Sequence, residues 1–346
     1  MSTSAGRVLM IPKGNYDAAE TYTMLDVVSY QGKSYVAKQT TTGNAPTDTT
    51  YWQLMIDAQG HTIKDPTTIF PNRANLVFDG FWLEDDSAND ATIIYKNNPI
   101  PLVSWSTGTD AEIKAMVDAY YAGKLTLEDI QSVWSIGDER EVTLSAMAAT
   151  GVDESHVAQT VKFVIMNFGG KKLASDGTTD VLAIVGQKNL LASGSYGEVG
   201  YMNSTNTNNG GWNSCARRTW CNSVYKNAVP ETLRVIFKEF NNVTANGQYN
   251  TAVTSADYFA LPSEKEVFGT TTYANATAEA SNSQFSYYAT SANRIKKYGE
   301  SGSAERWWER SPNSSSSIDF CRVSNDGSAN SDHATDKRGL APFGCI

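Results

Sequence analysis

A chain of 346 residues with 40 % hydrophobic residues has material for a sizeable core and for two or three domains. Its formal net charge of −9 argues against a nucleic-acid partner, because phosphate recognition needs a basic face. No apolar run is long enough to span a bilayer and the N-terminus has no signal-type stretch, so neither membrane insertion nor classical secretion is expected. Four cysteines are too few for a disulfide scaffold of this size, and His61, His156 and His333 lack zinc spacing relative to any cysteine. Buried thiols, no metal and no cofactor are the expectation.

Residues 1–57 read as a small all-β module. Val27-Val28-Ser29-Tyr30 and Ser34-Tyr35-Val36-Ala37 flank Gln31-Gly32-Lys33, a hairpin pattern of two β-prone runs around a glycine turn. The order Tyr22, Asp26-Val27-Val28, Tyr30-x-Gly32-x-x-Tyr35, Pro46, Trp52 resembles the chitinase-type carbohydrate-binding modules, which also recur at the attachment end of bacteriophage tail proteins. In that light Tyr35 and Trp52 either stack on sugar rings or form the module's core.

Residues 58–130 read as a β-rich connector. Short runs at 75–78 and 91–95 are β-prone, and Glu84-Asp85-Asp86 reads as a solvated acidic turn because it lacks the glycine and closing glutamate of a calcium loop. The connector ends in an amphipathic helix over 109–123. Thr109 and Glu112 form a capping box, Ile113, Met116, Val117 and Tyr120 follow at helical spacing, and Gly123 closes it.

Residues 131–346 form the remaining domain. Strands are expected at 141–144, 161–168 and 181–185, then a helix entered through Gly211-Trp212, with Cys215 and Cys221 on different faces of it. A second helix starts at Pro230 and carries Leu233, Ile236, Phe237 and Phe240 on one side. Trp307-Trp308-Glu309-Arg310-Ser311-Pro312 precedes a segment of unusual make-up.

From Ser311 to the end, two populations of residues interleave. Phe320, Cys321, Val323, Gly327, Ala329, Ala334 and Gly339 to Phe343 are small or apolar and set a frame. Between them stand Ser315, Ser316, Ser317, Ile318, Asp319, Arg322, Ser324, Asn325, Asp326, Ser328, Asn330, Ser331, Asp332, His333, Thr335, Asp336 and Arg338, which share no chemistry. The frame residues are encodable without adenine, and every interposed residue is reachable from the asparagine codon AAC by changing adenines alone. Glu, Gln, Met and Trp, which that route does not produce, are absent, and Lys337 is the one exception. A plain Ser/Asn/Asp-rich loop has no reason to carry Phe-Cys-x-Val and Gly-Leu-Ala-Pro among its polar residues. The frame predicts a strand with Phe320, Cys321 and Val323 inward, Asp319, Arg322 and Ser324 outward, and a hairpin turn at Asn325-Asp326-Gly327.

Gly211-Trp212-x-x-Cys215-Ala216-Arg217-Arg218, Phe259-Ala260-Leu261-Pro262-Ser263, Trp307 to Pro312 and Gly339-Leu340-Ala341-Pro342 resemble the variable proteins of diversity-generating retroelements. The resemblance implies an α+β architecture with a C-type-lectin-like domain of the formylglycine-generating-enzyme type, whose hypervariable segment is 313–338. It implies a phage tail-fibre adhesin: a homotrimer that meets other tail proteins through its N-terminal region, is carried on the virion, and reads a bacterial cell-surface receptor, protein or glycan, through the interposed residues. Trp307, Trp308, Arg310, Phe320, Cys321, Val323, Gly327 and Gly339 are then scaffold, Arg310 ordering the loops beneath the variable face. Arg322, Arg338, His333 and Ile318 are expected to lead weak, multivalent contacts. A bacterial surface-displayed variable protein and a tail-associated glycan-degrading enzyme are the alternatives. No catalytic constellation is present to carry an enzyme reading, and Cys321 with Cys345 is the one pair a redox function would draw on.

Overall fold

A computed structural model describes residues 10–57, 76–77, 82–85, 91–94, 100–192 and 200–346. The chain divides into two compact units, Met1–Pro99 and Ile100–Ile346. Strand (34 %) outweighs helix (17 %), which makes the protein a mixed α+β chain dominated by sheet. No helix among the described residues is long and apolar enough to cross a membrane.

The first unit holds a four-stranded sheet of β1 (Ile11–Asn15), β2 (Asp26–Tyr30), β3 (Lys33–Ala37) and β4 (Trp52–Asp57), in that spatial order. The β2–β3 hairpin has the register Val27↔Val36 and Tyr30↔Lys33, and Gln31 (φ 51°) with Gly32 (φ 76°) makes the tight turn that the sequence signalled. Tyr22, Val28, Tyr35, Ala37 and Trp52 form the core, with Trp52 1 % exposed and its Nε1 donating to the Asn44 carbonyl at 2.9 Å. Tyr35 and Trp52 are therefore core side chains and not sugar platforms. Much of 58–99, including Asp86 and the ends of both β-prone runs, lies outside the described residues. Glu84 and Asp85, expected in a turn, belong to the strand Trp82–Asp85, paired with Ala91–Ile94.

In the second unit, helix α1 (Asp110–Tyr121) has the predicted capping box: Thr109 accepts from the Glu112 amide, and the Glu112 carboxylate accepts from the Thr109 amide. Gly123, in the left-handed region (φ 69°), follows its end. Ile113, Met116 and Val117 are fully buried within this unit, whereas Tyr120 is half-buried and Ala119 takes its place in the core. Tyr121 accepts from the Leu182 amide at 3.0 Å and donates to the Ile346 carbonyl at 3.2 Å. The helix thus belongs to the second unit, ahead of the boundary expected near residue 131.

A five-stranded antiparallel sheet forms the centre. Its spatial order is β5 (Glu139–Leu144), β6 (Gln159–Phe168), β7 (Ala183–Gln187), then Phe343–Cys345, then β10 (Phe259–Ala260). Between these in sequence lie the β8 (Phe240–Ala245) and β9 (Ala252–Asp257) hairpin and helix α2 (Glu264–Phe268). The expected helix from Pro230 is only Glu231–Arg234. Leu233, Ile236, Phe237 and Phe240 are all buried, but Phe240 opens β8, where pairing with Asp257 replaces a further helical turn. A three-stranded sheet of β11 (Trp307–Pro312), β12 (Asp319–Val323) and β13 (Ala329–His333) follows, and β14 (Phe343–Cys345) returns to the central sheet. All four cysteines are free and buried.

Lys296 places a titratable amine in this core. It is 1 % exposed, donates to the Gln187 carbonyl at 3.0 Å and the Lys188 carbonyl at 2.7 Å, and lies over the rings of Tyr288 and Trp307. Burial, aided by the Lys188 charge, depresses its pKa to about 7. Between that value and the ordinary lysine range the unfolded chain holds the extra proton, so this group makes stability rise with pH over that window. Urea melts are expected to show wild type gaining on the order of 3 kcal/mol relative to Lys296→Met between pH 7 and 10. A difference that does not change with pH contradicts a neutral buried amine.

Candidate functional site

The β12–β13 hairpin presents the interposed residues. Its register runs Asp319↔His333, Cys321↔Ser331, Arg322↔Asn330 and Val323↔Ala329. The turn forms as the sequence predicts: the Ser324 amide donates to the Ser328 carbonyl at 2.7 Å, the Gly327 amide to the Ser324 carbonyl at 2.9 Å, and Gly327 has φ 84°. Asp326 accepts from the Ser328 hydroxyl and amide, which hold its carboxyl below the ordinary value.

The scaffold residues are interior. Trp307, Trp308, Arg310, Phe320, Cys321 and Val323 are each 0 % exposed, and Gly327 and Gly339 are buried. The Trp307 Nε1 donates to Arg294 O and the Trp308 Nε1 to Gly200 O, both at 2.8 Å. Gly339 is glycine for lack of room, since a Cβ there would stand 2.5 Å from Leu190 Cδ1.

The interposed residues divide into three groups. Ser315, Ser317, Asn325, Asp326, Ser328 and His333 are exposed; Ser316, Ile318, Asp319, Asn330, Ser331, Asp332, Thr335 and Asp336 are half-buried. Arg322, Ser324 and Arg338 are buried, against expectation. Residues 319 and 322 are three apart, so in a strand they fall on opposite faces, and Arg322 shares the side of Phe320 and Trp308. Its Nε donates to Asp332 Oδ2 at 2.5 Å and its Nη1 to Ser324 Oγ at 2.6 Å. Arg338 donates to the same Asp332 oxygen at 2.5 Å and to Asp336 at 3.2 Å. The two arginines expected to lead receptor contacts instead hold the hairpin from within through one carboxylate. Lys337, the exception to the codon pattern, pairs with Glu154 outside the segment.

Other residues give the segment its shape without any local signal in the sequence. The Asn208 side chain donates to the carbonyls of Asn313, Ser316 and Asp319, at 3.3, 2.7 and 2.8 Å, pinning the loop that enters β12. Glu264 accepts from the amides of Thr272, Tyr273 and Ala274, and the Tyr273 carbonyl accepts from Ser314. Asn208 sits in the turn-like run Thr207-Asn208-Asn209-Gly210, where composition announces a turn but not a long-range anchor.

Beneath the hairpin lies a buried ionic cluster. Arg310 forms a double ion pair with Glu266 and donates to the Leu261 carbonyl at 3.0 Å, and Lys171 binds the same carboxylate. Burial alone would raise Glu266, but Arg310 and Lys171 override it and hold the carboxyl at about 2. For Lys171, burial and the nearby Arg310 charge outweigh the attraction of Glu266 and lower its pKa, so Arg310 is the principal partner of the shared carboxylate. Glu279 and Glu309 are 0 % exposed; the Glu309 carboxyl oxygens have no hydrogen-bond partner among the described residues, and the Ser311 hydroxyl beside Glu279 offsets only part of the effect of its burial. Burial pushes Glu279 up to about 7 and Glu309 well above the carboxylate range. Among the described residues no group of three or more His, Cys, Asp or Glu side chains is arranged to hold a metal ion. Burial also raises the thiol pKa of Cys321 and Cys345, which leaves little reactive thiolate.

The model of a family described as "Domain of unknown function (DUF6273)" matches residues 184–346, from β7 through the hairpin to β14. No curated protein and no solved structure matches the chain.

Two measurements check this geometry. Arg322→Ala removes one guanidinium from a carboxylate that keeps the other and is 16 % exposed, so the loss is expected at about 2–3 kcal/mol, below that of a fully buried pair. His333→Ala and Ser328→Ala, at exposed positions, are expected within about 0.5 kcal/mol of wild type by denaturant melts. Equal losses at all three contradict the inner and outer division. For Glu279, the folded pKa lies above the ordinary value, so its contribution is fully present below about 4.5 and is lost as pH rises through about 7. Glu279→Gln is expected to remove that decline and to exceed wild type at pH 8 by up to about 3 kcal/mol.

Proposed function

We propose that the protein is a receptor-binding protein of a phage tail. Its second unit would be a C-type-lectin-like scaffold that presents residues 313–338 to a bacterial surface, protein or glycan, as part of a homotrimer. The observation that carries this reading is the sorting of the C-terminal segment. The frame residues are interior, Ala329 alone being half-buried, and the freely exposed positions, Ser315, Ser317, Asn325, Asp326, Ser328 and His333, all belong to the interposed set. Such a face changes its chemistry without touching the core. The family match supports treating this part of the chain as a domain and says nothing of its role.

The contact chemistry differs from what composition alone implies. With Arg322 and Arg338 engaged on Asp332, the anchors left are His333, whose side chain is 56 % exposed, and the half-buried Ile318. Serines and asparagines are weak anchors, so each copy contributes little and repeated display supplies the avidity.

Two results are expected. The gene's downstream sequence should hold a near-identical repeat with AAC codons at the interposed positions, beside a reverse transcriptase gene. Alanine at Ser317, Asn325, Ser328 and His333 together should lower adsorption of the particles to host cells at least about tenfold, the equivalent of 1.4 kcal/mol, with the thermal midpoint unchanged. Unchanged adsorption, or a locus without such a repeat, overturns the reading.

A further inference from the structure

A cavity of about 460 Å³ opens on the second unit between the loop at 170–180, the β8–β9 hairpin and the turn at 281–283. That volume is in the range of small-ligand sites. Its walls are fixed. The loop is closed on itself by Leu173 N donating to Thr179 O at 2.8 Å, and docks on β8 through Asn241 N donating to Lys172 O at 2.9 Å. Gly177, at φ 68°, lines the loop side, and a Cβ there would meet only the Asn241 amide, at 3.8 Å.

The charges lining the cavity are already matched. Lys171, 6 % exposed, gives its ammonium to Glu266, and Lys172 pairs with Asp180 at 2.9 Å. What remains to meet a ligand is neutral. The Asn241 amide and the Thr254 hydroxyl have no intramolecular partner among the described residues. Asn282, 8 % exposed, is fixed by its Nδ2 donating to Val243 O at 3.0 Å and Ser263 Oγ at 3.3 Å, which leaves its Oδ1 unengaged. Amides and hydroxyls both donate and accept, which is what a ring bearing several hydroxyls requires, and Val243 adds an apolar surface for its C–H face. An anion or cation finds no uncompensated charge here.

We propose that this cavity binds a neutral saccharide unit, one or two pyranose rings, through Asn241, Thr254 and Asn282. The site is built on β8 and β9 and uses none of the interposed residues, so it stands whether or not the hairpin varies. The full chain is to be titrated with glucose, galactose, mannose, rhamnose and N-acetylglucosamine, with glucuronate as the anionic comparison, by saturation-transfer NMR and calorimetry. At least one neutral sugar is expected to bind with Kd near 1 mM, on the order of 4 kcal/mol. Thr254→Trp, at an exposed strand position, fills the cavity and is expected to weaken that binding at least about tenfold, and Asn241→Ala serves the same purpose should the tryptophan disturb folding. The hairpin variant at Ser317, Asn325, Ser328 and His333 is expected to bind the sugar as wild type does. Absence of binding by every neutral sugar at about 10 mM, binding of glucuronate alone, or binding that survives both cavity variants each overturns the assignment.

Discussion

The pairing of Glu266 with Arg310 is the joint on which the second unit turns. Glu266 belongs to α2, where it also closes a capping box with Ser263, and Arg310 belongs to β11, the strand on which the hairpin is hung. Arg310 reaches the Leu261 carbonyl just beyond β10, so one guanidinium links the central sheet, a helix and the three-stranded sheet. Taking these ions out of water costs nearly what their attraction returns, so the net stabilisation is modest. Removing one partner is another matter, because the remaining charge is stranded in the interior. The joint therefore fixes geometry more than it adds stability. It also sets the state of its neighbours: Glu279 and Glu309 share the cluster with Glu266, and two cations do not support every carboxylate there in ionised form. Glu266 keeps its charge, and burial drives the other two toward the neutral acid.

What the sequence made legible was local. The capping box at Thr109, the Gln31-Gly32 turn, the Asn325-Asp326-Gly327 turn and the strands read at 141–144 and 161–168, which run two residues further back in the structure, each depend on residues within a few positions of one another. The frame residues of the C-terminal segment were legible for the same reason, since apolar residues among polar ones have few places to go but inward. Burial was also read correctly at Leu233, Ile236 and Phe237, while the element was not: a helical spacing of apolar residues says which are buried and leaves open whether β pairing claims the next one.

The misplaced arginines and the missed Asn208 share one cause. Arg322 and Arg338 are long, charged and set among serines, and by composition such residues face water. Their burial depends on Asp332, which receives both, and no spacing rule couples positions 322, 332 and 338 before the hairpin register is known. Asn208 is a parallel case. Its three acceptors lie more than a hundred positions away and are backbone carbonyls, which carry no residue identity at all.

That coupling bears on how freely the segment can change. Replacing Asp332 alone takes the shared carboxylate from two nearly buried guanidiniums, leaving Arg322 on the Ser324 hydroxyl and Arg338 on Asp336, and replacing either arginine alone leaves Asp332 with one cation in place of two. Asn330 and Ser331 are held as well, by the Ser331 amide on Asn330 and by Asn313 on the Ser331 hydroxyl. By contrast, Ser317, Asn325 and His333 stand at exposed positions, and there a new side chain displaces only water. A diversified hairpin of this geometry thus has two classes of position. The outer ones tolerate independent replacement, and positions 322, 332 and 338 tolerate it only as a set whose charges balance, or as a set of apolar residues that fill the same space. Chemical variety at the surface would then be drawn from fewer positions than the adenine-reachable set contains.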